Sequence, residues 1–133
     1  MARDYRALAG FIAGREGMPF AWGRARNDCV SFCAGAVLAL TGVDKLKGIR
    51  WGSKAGALRL LAQLGGLEAA IGARLEPIAP AMAHRGDIAG VHDVEAPGSI
   101  RLMVVEGELL VGPGTRGNVR VKRSEMILAW SAG

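Results

Sequence analysis

The chain has 133 residues, half of them apolar and 22% charged, with a formal net charge of +5. That length and apolar content suit one domain, 1–133, and exclude a disordered chain, while two cysteines exclude a disulfide scaffold and a structural zinc site. Positive charge favours anionic partners, but only Arg116, Arg120, Lys122 and Arg123 cluster. No aromatic residue interleaves with them, which points to a solvated strand face rather than to nucleic acid.

The N-terminus runs into a short mixed segment instead of a long apolar one. Neither a signal peptide nor a transmembrane span is expected, and synthesis in the cytoplasm is the default. Asp4 to Ala13 carries Tyr5, Leu8, Phe11 and Ile12 at helical spacing, and Gly14 is a stop. Gly17 to Asp28 reads as a loop with Pro19, Trp22 and Gly23. Asn27 or Asp28 can cap a second helix from Cys29 to Leu40 that ends at Thr41-Gly42. Its apolar stripe is Cys29, Phe32, Cys33, Ala36, Val37 and Leu40. Small residues at Ala34, Gly35 and Ala39 extend the packing surface, as in a central buried helix.

Ser53 caps a third helix with Ala57, Leu58, Leu61 and Leu64 inward, closed by Gly65-Gly66; Leu67 to Ile71 adds a short helical piece. Pro77 and Pro80 mark a connection. From Gly86 onward the period changes to two. Asp87–Val91, Ile100–Val105, Glu108–Val111, Val119–Lys122 and Met126–Trp130 read as strands. Ala96-Pro97-Gly98, Glu106-Gly107 and Gly112-Pro113-Gly114 supply turns, and such tight connections imply antiparallel neighbours. Helices first and a sheet afterwards make an α+β fold, with N-terminal helices packed on a C-terminal antiparallel β-sheet.

The chemistry-bearing element is Asp28-Cys29 at a helix start. A thiol there feels the positive end of the helix dipole, which favours the attacking thiolate. The plain alternative is a small core residue, since free cysteine is among the most buried side chains. Cys33, one turn further along, reads as core. A disulfide between the two is not expected, because their Cβ directions are parallel. Only two histidines exist, His84 at a turn and His92 at a strand end beside Asp93. His92 is a candidate base with Asp93 as its orienter, by the logic of a triad. Asp28 is a helix cap that could also hold a substrate amine. Arg24 and Arg26, close in sequence to Cys29, would favour its thiolate or meet an acidic neighbour.

Three segments carry a family likeness. Pro19-Phe20-Ala21-Trp22-Gly23, then Asn27-Asp28-Cys29-Val30-Ser31-Phe32, then His84-Arg85-Gly86-Asp87-Ile88, in this order, resemble the signature of the NlpC-type cell-wall peptidases. Those are papain-like enzymes that cleave peptidoglycan stem peptides. The likeness covers residues 17–42 and 83–105 and implies a papain-like architecture with no cofactor and no metal. It places Cys29 as nucleophile and the Trp22 region beside the substrate groove. Asp28, Arg24 and Arg26 are further substrate-binding candidates by their charge, and His92 with Asp93 is a displaced base by the logic of a triad. In those peptidases a histidine opens the strand after the Gly-Asp strand. The corresponding run here, Gly98-Ser99-Ile100-Arg101-Leu102-Met103-Val104, has none. The Trp-Gly…Asp-Cys segment, the Arg-Gly-Asp strand start and the terminal Ala129-Trp130 are more similar still to compact NlpC-like proteins encoded in tail gene clusters of bacteriophages and prophages. That resemblance implies a structural protein of the phage tail tip, located in the virion, with other tail proteins as partners and the catalytic dyad lost. The alternative it implies is an active cysteine hydrolase of peptidoglycan peptides.

Overall fold

Asp4 starts the first helix as its short carboxylate allows, accepting the Ala7 N–H at 2.9 Å. The structure, a computed structural model, describes residues 2–133. Helix α1 spans Tyr5–Gly14 and α2 spans Cys29–Thr41. Asp28 caps α2 by accepting the Ser31 N–H at 2.8 Å, and Gly42, left-handed at φ 79°, closes it. The two helices pack through Phe11 and Phe32, edge to face with ring centroids 5.4 Å apart. Their close approach needs Gly35, where an added Cβ would lie 2.5 Å from the Phe11 ring.

Helix α3 spans Lys54–Gln63, capped by Ser53, and α4 spans Leu67–Gly72. Here the expectation of an inward leucine face fails. Only Ala57 of α3 is buried; Leu58 is 54% exposed, and Leu61 and Leu64 are half-buried. The helical spacing was right, but the leucines border an open cleft instead of meeting the sheet.

Six strands follow: β1 Glu76–Ile78, β2 Ile88–His92, β3 Ile100–Val105, β4 Leu109–Gly114, β5 Gly117–Lys122 and β6 Leu128–Ser131. They form one antiparallel sheet in the order β1-β6-β2-β3-β4-β5. Two features depart from the sequence reading. The stretch with Pro77 forms β1, an edge strand paired only with β6, which is where a proline is tolerated. Gly112-Pro113-Gly114 belongs to β4 and is not a turn. Pro113 pairs with Asn118 of β5, while β4 meets β3 only at Val111 and Leu110, so its missing N–H breaks no bond to β3.

Both faces of the sheet are apolar. On one, Ile88, Leu102, Val104, Val111 and Trp130 meet Leu8, Phe32, Val37 and Leu40 of α1 and α2. Each large side chain buried there contributes roughly 1.5–3 kcal/mol. On the other, Ala89, Val91, Met103, Val105, Leu110 and Ala129 are closed over by Ala83 and Met126. Those two residues follow the one-turn 3-10 helices Pro80–Met82 and Arg123–Glu125. The Arg123 guanidinium donates to Ala83 O and Pro80 O, tying one turn to the other. Two covered faces explain why β3 is buried continuously from Leu102 to Val105 and does not alternate.

Asp87, 2% exposed, fastens the sheet to the chain ends. Its carboxylate accepts from the Arg3 guanidinium at 2.6 Å, the His84 N–H at 2.7 Å and the Ala132 N–H at 2.9 Å. No helix among the described residues is long and apolar enough to cross a membrane.

Removing Asp87 strands a buried guanidinium contact and two main-chain donors. Asp87→Ala is expected to lower unfolding stability in urea by about 3–5 kcal/mol, with Arg3→Ala costing less. Gly35→Val is expected to cost about 1–3 kcal/mol through overpacking against Phe11, measured the same way.

Candidate active-site cleft

The loop before α2 is held by side chains that the chain buries for that purpose. Asn27, 1% exposed, donates to Met18 O and Pro19 O and accepts from Arg15 at 2.9 Å. Its main chain forms an isolated bridge with Ala21. Phe20 N–H donates to Gly114 O at 2.8 Å, which anchors the loop to the end of β4.

Asp28, also 1% exposed, takes three donors: the Ser31 N–H, the Gly23 N–H at 3.0 Å and the Trp51 indole N–H at 2.7 Å. Its carboxylate is spent inside the protein as the cap of α2. The Ser31 hydroxyl donates to Gly23 O and Arg24 O, closing the same loop from the helix side.

These bonds set Cys29 at the first residue of α2, half-buried in a cleft of about 1120 Å³. Trp22 and Phe20, edge to face at 5.2 Å, stand at one wall, and Leu61 and Leu64 of α3 form another. The ends of β2 and β3 complete it with His92, Asp93 and Arg101.

The surroundings of the sulfur work against a resting thiolate. Loss of water around it pushes the Cys29 thiol above its ordinary range, and the Asp28 carboxylate pushes the same way. The Leu102 main chain, the Arg101 guanidinium and the residue's own N–H pull in the opposite direction without prevailing. The dipole argument from sequence is outweighed by desolvation. Cys33 is buried more deeply, and desolvation raises its thiol further, which agrees with a core role.

His92 shares the helix-facing side of β2 with Ile88. In the β2–β3 register Gly90 faces Leu102 and His92 faces Ile100. His92 is therefore a diagonal neighbour of Leu102, roughly 7–8 Å away, and Leu102 lines the same cleft as Cys29. The histidine is exposed and makes no side-chain hydrogen bond to another described residue. Asp93 does not orient it: the Asp93 carboxylate accepts the Glu95 N–H at 3.0 Å in a local turn.

Arg24 and Arg26 are not in this cleft. Arg24 N–H donates to Trp51 O, and its guanidinium sits 3.1 Å from both Asp44 oxygens. The two arginines border a separate depression of about 350 Å³ over the Ala34–Leu38 side of α2. The cation that acts on Cys29 is Arg101, from β3. Sequence reasoning also passed over Trp51 and Ser31. The signal available for Trp51 was its indole N–H, which needs an acceptor when covered, but nothing local named Asp28 as that acceptor. Among the described residues no group of His, Cys, Asp and Glu side chains could hold a metal ion.

A family model covers residues 2–132. The chain belongs to the family described as Domain of unknown function (DUF6950). Its fold is similar to the crystal structure of the NlpC/p60 domain of peptidoglycan hydrolase SagA, with a TM-score of 0.60 at 17% identity over 96% of this chain and 98% of that one. The comparison with curated proteins returned no match. This member of the family thus has an NlpC/p60-like α+β fold, with a cysteine at the head of its central helix.

Alkylation by iodoacetamide should report the environment of Cys29. Its rate is expected to rise only at pH values above the midpoint of a free cysteine, about 8.5. Arg101→Gln is expected to shift that profile further upward, because the guanidinium favours the charged sulfur.

Proposed function

We propose that this protein is a structural component of a phage tail tip, built on an NlpC-like fold whose cleft no longer cuts. One observation carries the loss of cutting: the β3 residues on the helix-facing side of the cleft, Ile100 and Leu102, are both aliphatic, where a general base would have to stand. The desolvated thiol and the absence of a hydrogen bond between His92 and Asp93 support the same reading. The tail role draws its support from the likeness of the Trp22–Cys29 and Arg85–Asp87 segments and of Ala129-Trp130 to the compact tail-cluster proteins.

A second reading has its own support. His92 lies on the sheet face that meets α2 and lines the same cleft as Cys29. In that reading the Cys29 sulfur attacks an amide carbonyl of a peptidoglycan peptide. The imidazole takes the thiol proton and passes it to the leaving amine. A main-chain N–H at the start of α2 holds the oxyanion, and water then releases the acyl group from sulfur.

Purified peptidoglycan incubated with the wild-type protein and with Cys29→Ser separates the two. The first reading expects no peptide release from either; release by the wild type alone establishes the second. For the tail role, immunogold labelling of virions from the phage or prophage that encodes the chain should mark the tail end. Particles that lack the protein altogether would overturn that role.

A further inference from the structure

We propose that this chain associates head to tail with a second copy of itself, the acidic tip of the β2–β3 hairpin of one copy entering the basic-rimmed depression over α2 of the next. The contact stands whether or not the cleft cuts.

The tip is a built turn that carries an apolar knob. Val94, 90% exposed, is the most exposed large hydrophobic side chain among the described residues. Among those exposed hydrophobics, only Val94 has a carboxylate on each side in sequence, from Asp93 and Glu95. Neither carboxylate forms an ion pair with another described residue. The Ala96 N–H donates to Asp93 O at 3.2 Å, and the Glu95 N–H donates to the Asp93 carboxylate at 3.0 Å. The Asp93 N–H donates to Ser99 O at 3.1 Å and closes the base. Val94 and Glu95 are thus the central residues of a closed turn, with little freedom left to lose on docking.

The depression of about 350 Å³ has the complementary make-up. Its floor is apolar, with Phe11 of α1 and, from α2, Gly35 and Leu38, the last 46% exposed. Its charged lining is Arg15, Arg24 and Arg26 against the one carboxylate of Asp44, which Arg24 already holds. Arg15 is fixed over the Phe11 ring, 4.8 Å from its centroid, and donates to Asn27. Arg26 is exposed and forms no ion pair with another described residue. The cleft beside Cys29 is mixed instead, with Lys45, Lys54 and Arg74 among Glu68, Asp93 and Glu95. Val94 supplies an apolar group for the floor while Asp93 and Glu95 supply charge for the rim, so both parts of the contact are complementary together.

Gly35 and Leu38 lie on the side of α2 opposite Cys33, Val37 and Leu40, which meet the sheet. The tip continues β2 and β3 and borders the cleft on the sheet side of the helix. With α2 between them, about 10 Å thick, the tip meets the depression of a second molecule and not its own. Two unlike patches in contact repeat from copy to copy, giving a ring where the rotation closes and an open chain where it does not.

Sedimentation velocity of the full-length protein from about 10 μM to about 1 mM tests this, the upper end reaching a Kd of millimolar size. The mean mass is expected to rise with concentration. Val94→Asp removes the knob and Leu38→Asp charges the floor; each is expected to weaken association roughly tenfold. Mixed together, these two variants should form a one-to-one dimer and nothing larger, because one keeps its depression and the other its tip. Arg26→Glu should weaken association about threefold, whereas Arg116→Glu, an equal change of net charge outside the depression, should not. A wild-type mass that stays monomeric up to about 1 mM overturns the proposal and leaves the depression to a different protein. Association untouched by Val94→Asp or by Leu38→Asp overturns it, as does a mixture of the two that stays monomeric. Equal effects of the two charge reversals would assign the association to net charge and overturn it as well.

Discussion

The Asp28 carboxylate is the constraint on which the cleft depends. Buried carboxylates are costly unless their lone pairs are taken, and this one is taken by three donors from three places in the chain. The Ser31 N–H starts a helix, the Gly23 N–H fastens the loop before it, and the Trp51 indole draws in the segment that leads to α3. Without that convergence the loop walls beside Cys29 would have no fixed place, because neither the loop nor the Trp51 segment packs on the sheet as a regular element. The carboxylate that positions the sulfur also opposes its ionisation. A site built this way is well defined in space and poorly suited, at rest, to nucleophilic attack.

Features set by neighbours in sequence were legible in sequence. The Asp28 cap, the αL glycine at Gly42, the Ser53 cap and the turn into β2 are all decided within a few residues, where local hydrogen bonds dominate. Features set by partners far along the chain were not. Arg24 and Arg26 look adjacent to Cys29, yet the main-chain bond from Arg24 to Trp51 turns that stretch away toward Asp44. Arg101 looks remote, yet it lines the same cleft and its charge favours the Cys29 thiolate. Pro113 reads as a turn by composition, and only the early end of the β3–β4 ladder makes room for it inside a strand. The leucines of α3 follow a helical period faithfully, but a period says which residues share a face and not what that face meets.

The basic C-terminal stretch shows the same limit. Arg120 reads as part of a solvated cationic face. In the fold it bridges Glu16 at the end of α1 and Glu106 in the β3–β4 turn, and its guanidinium holds the Glu16 carboxyl below the usual range. These pairs are exposed, so their worth is small and salt-dependent, and they organise the surface more than they stabilise it. Asn118 does similar work nearby, donating to Ile12 O. The hairpin of β4 and β5 is thereby fastened to the C-terminal end of α1, and the loop that carries Trp22 hangs from the same hairpin through Gly114.

Asp87 joins Arg3, near one end of the described chain, to Ala132, near the other. Arg3 also donates to Gly133 O. The polypeptide therefore enters and leaves the fold through one small doorway. A unit with that geometry can be spliced into a host polypeptide, or relinked in circular order, with little more than a short connector and no rearrangement of its interior.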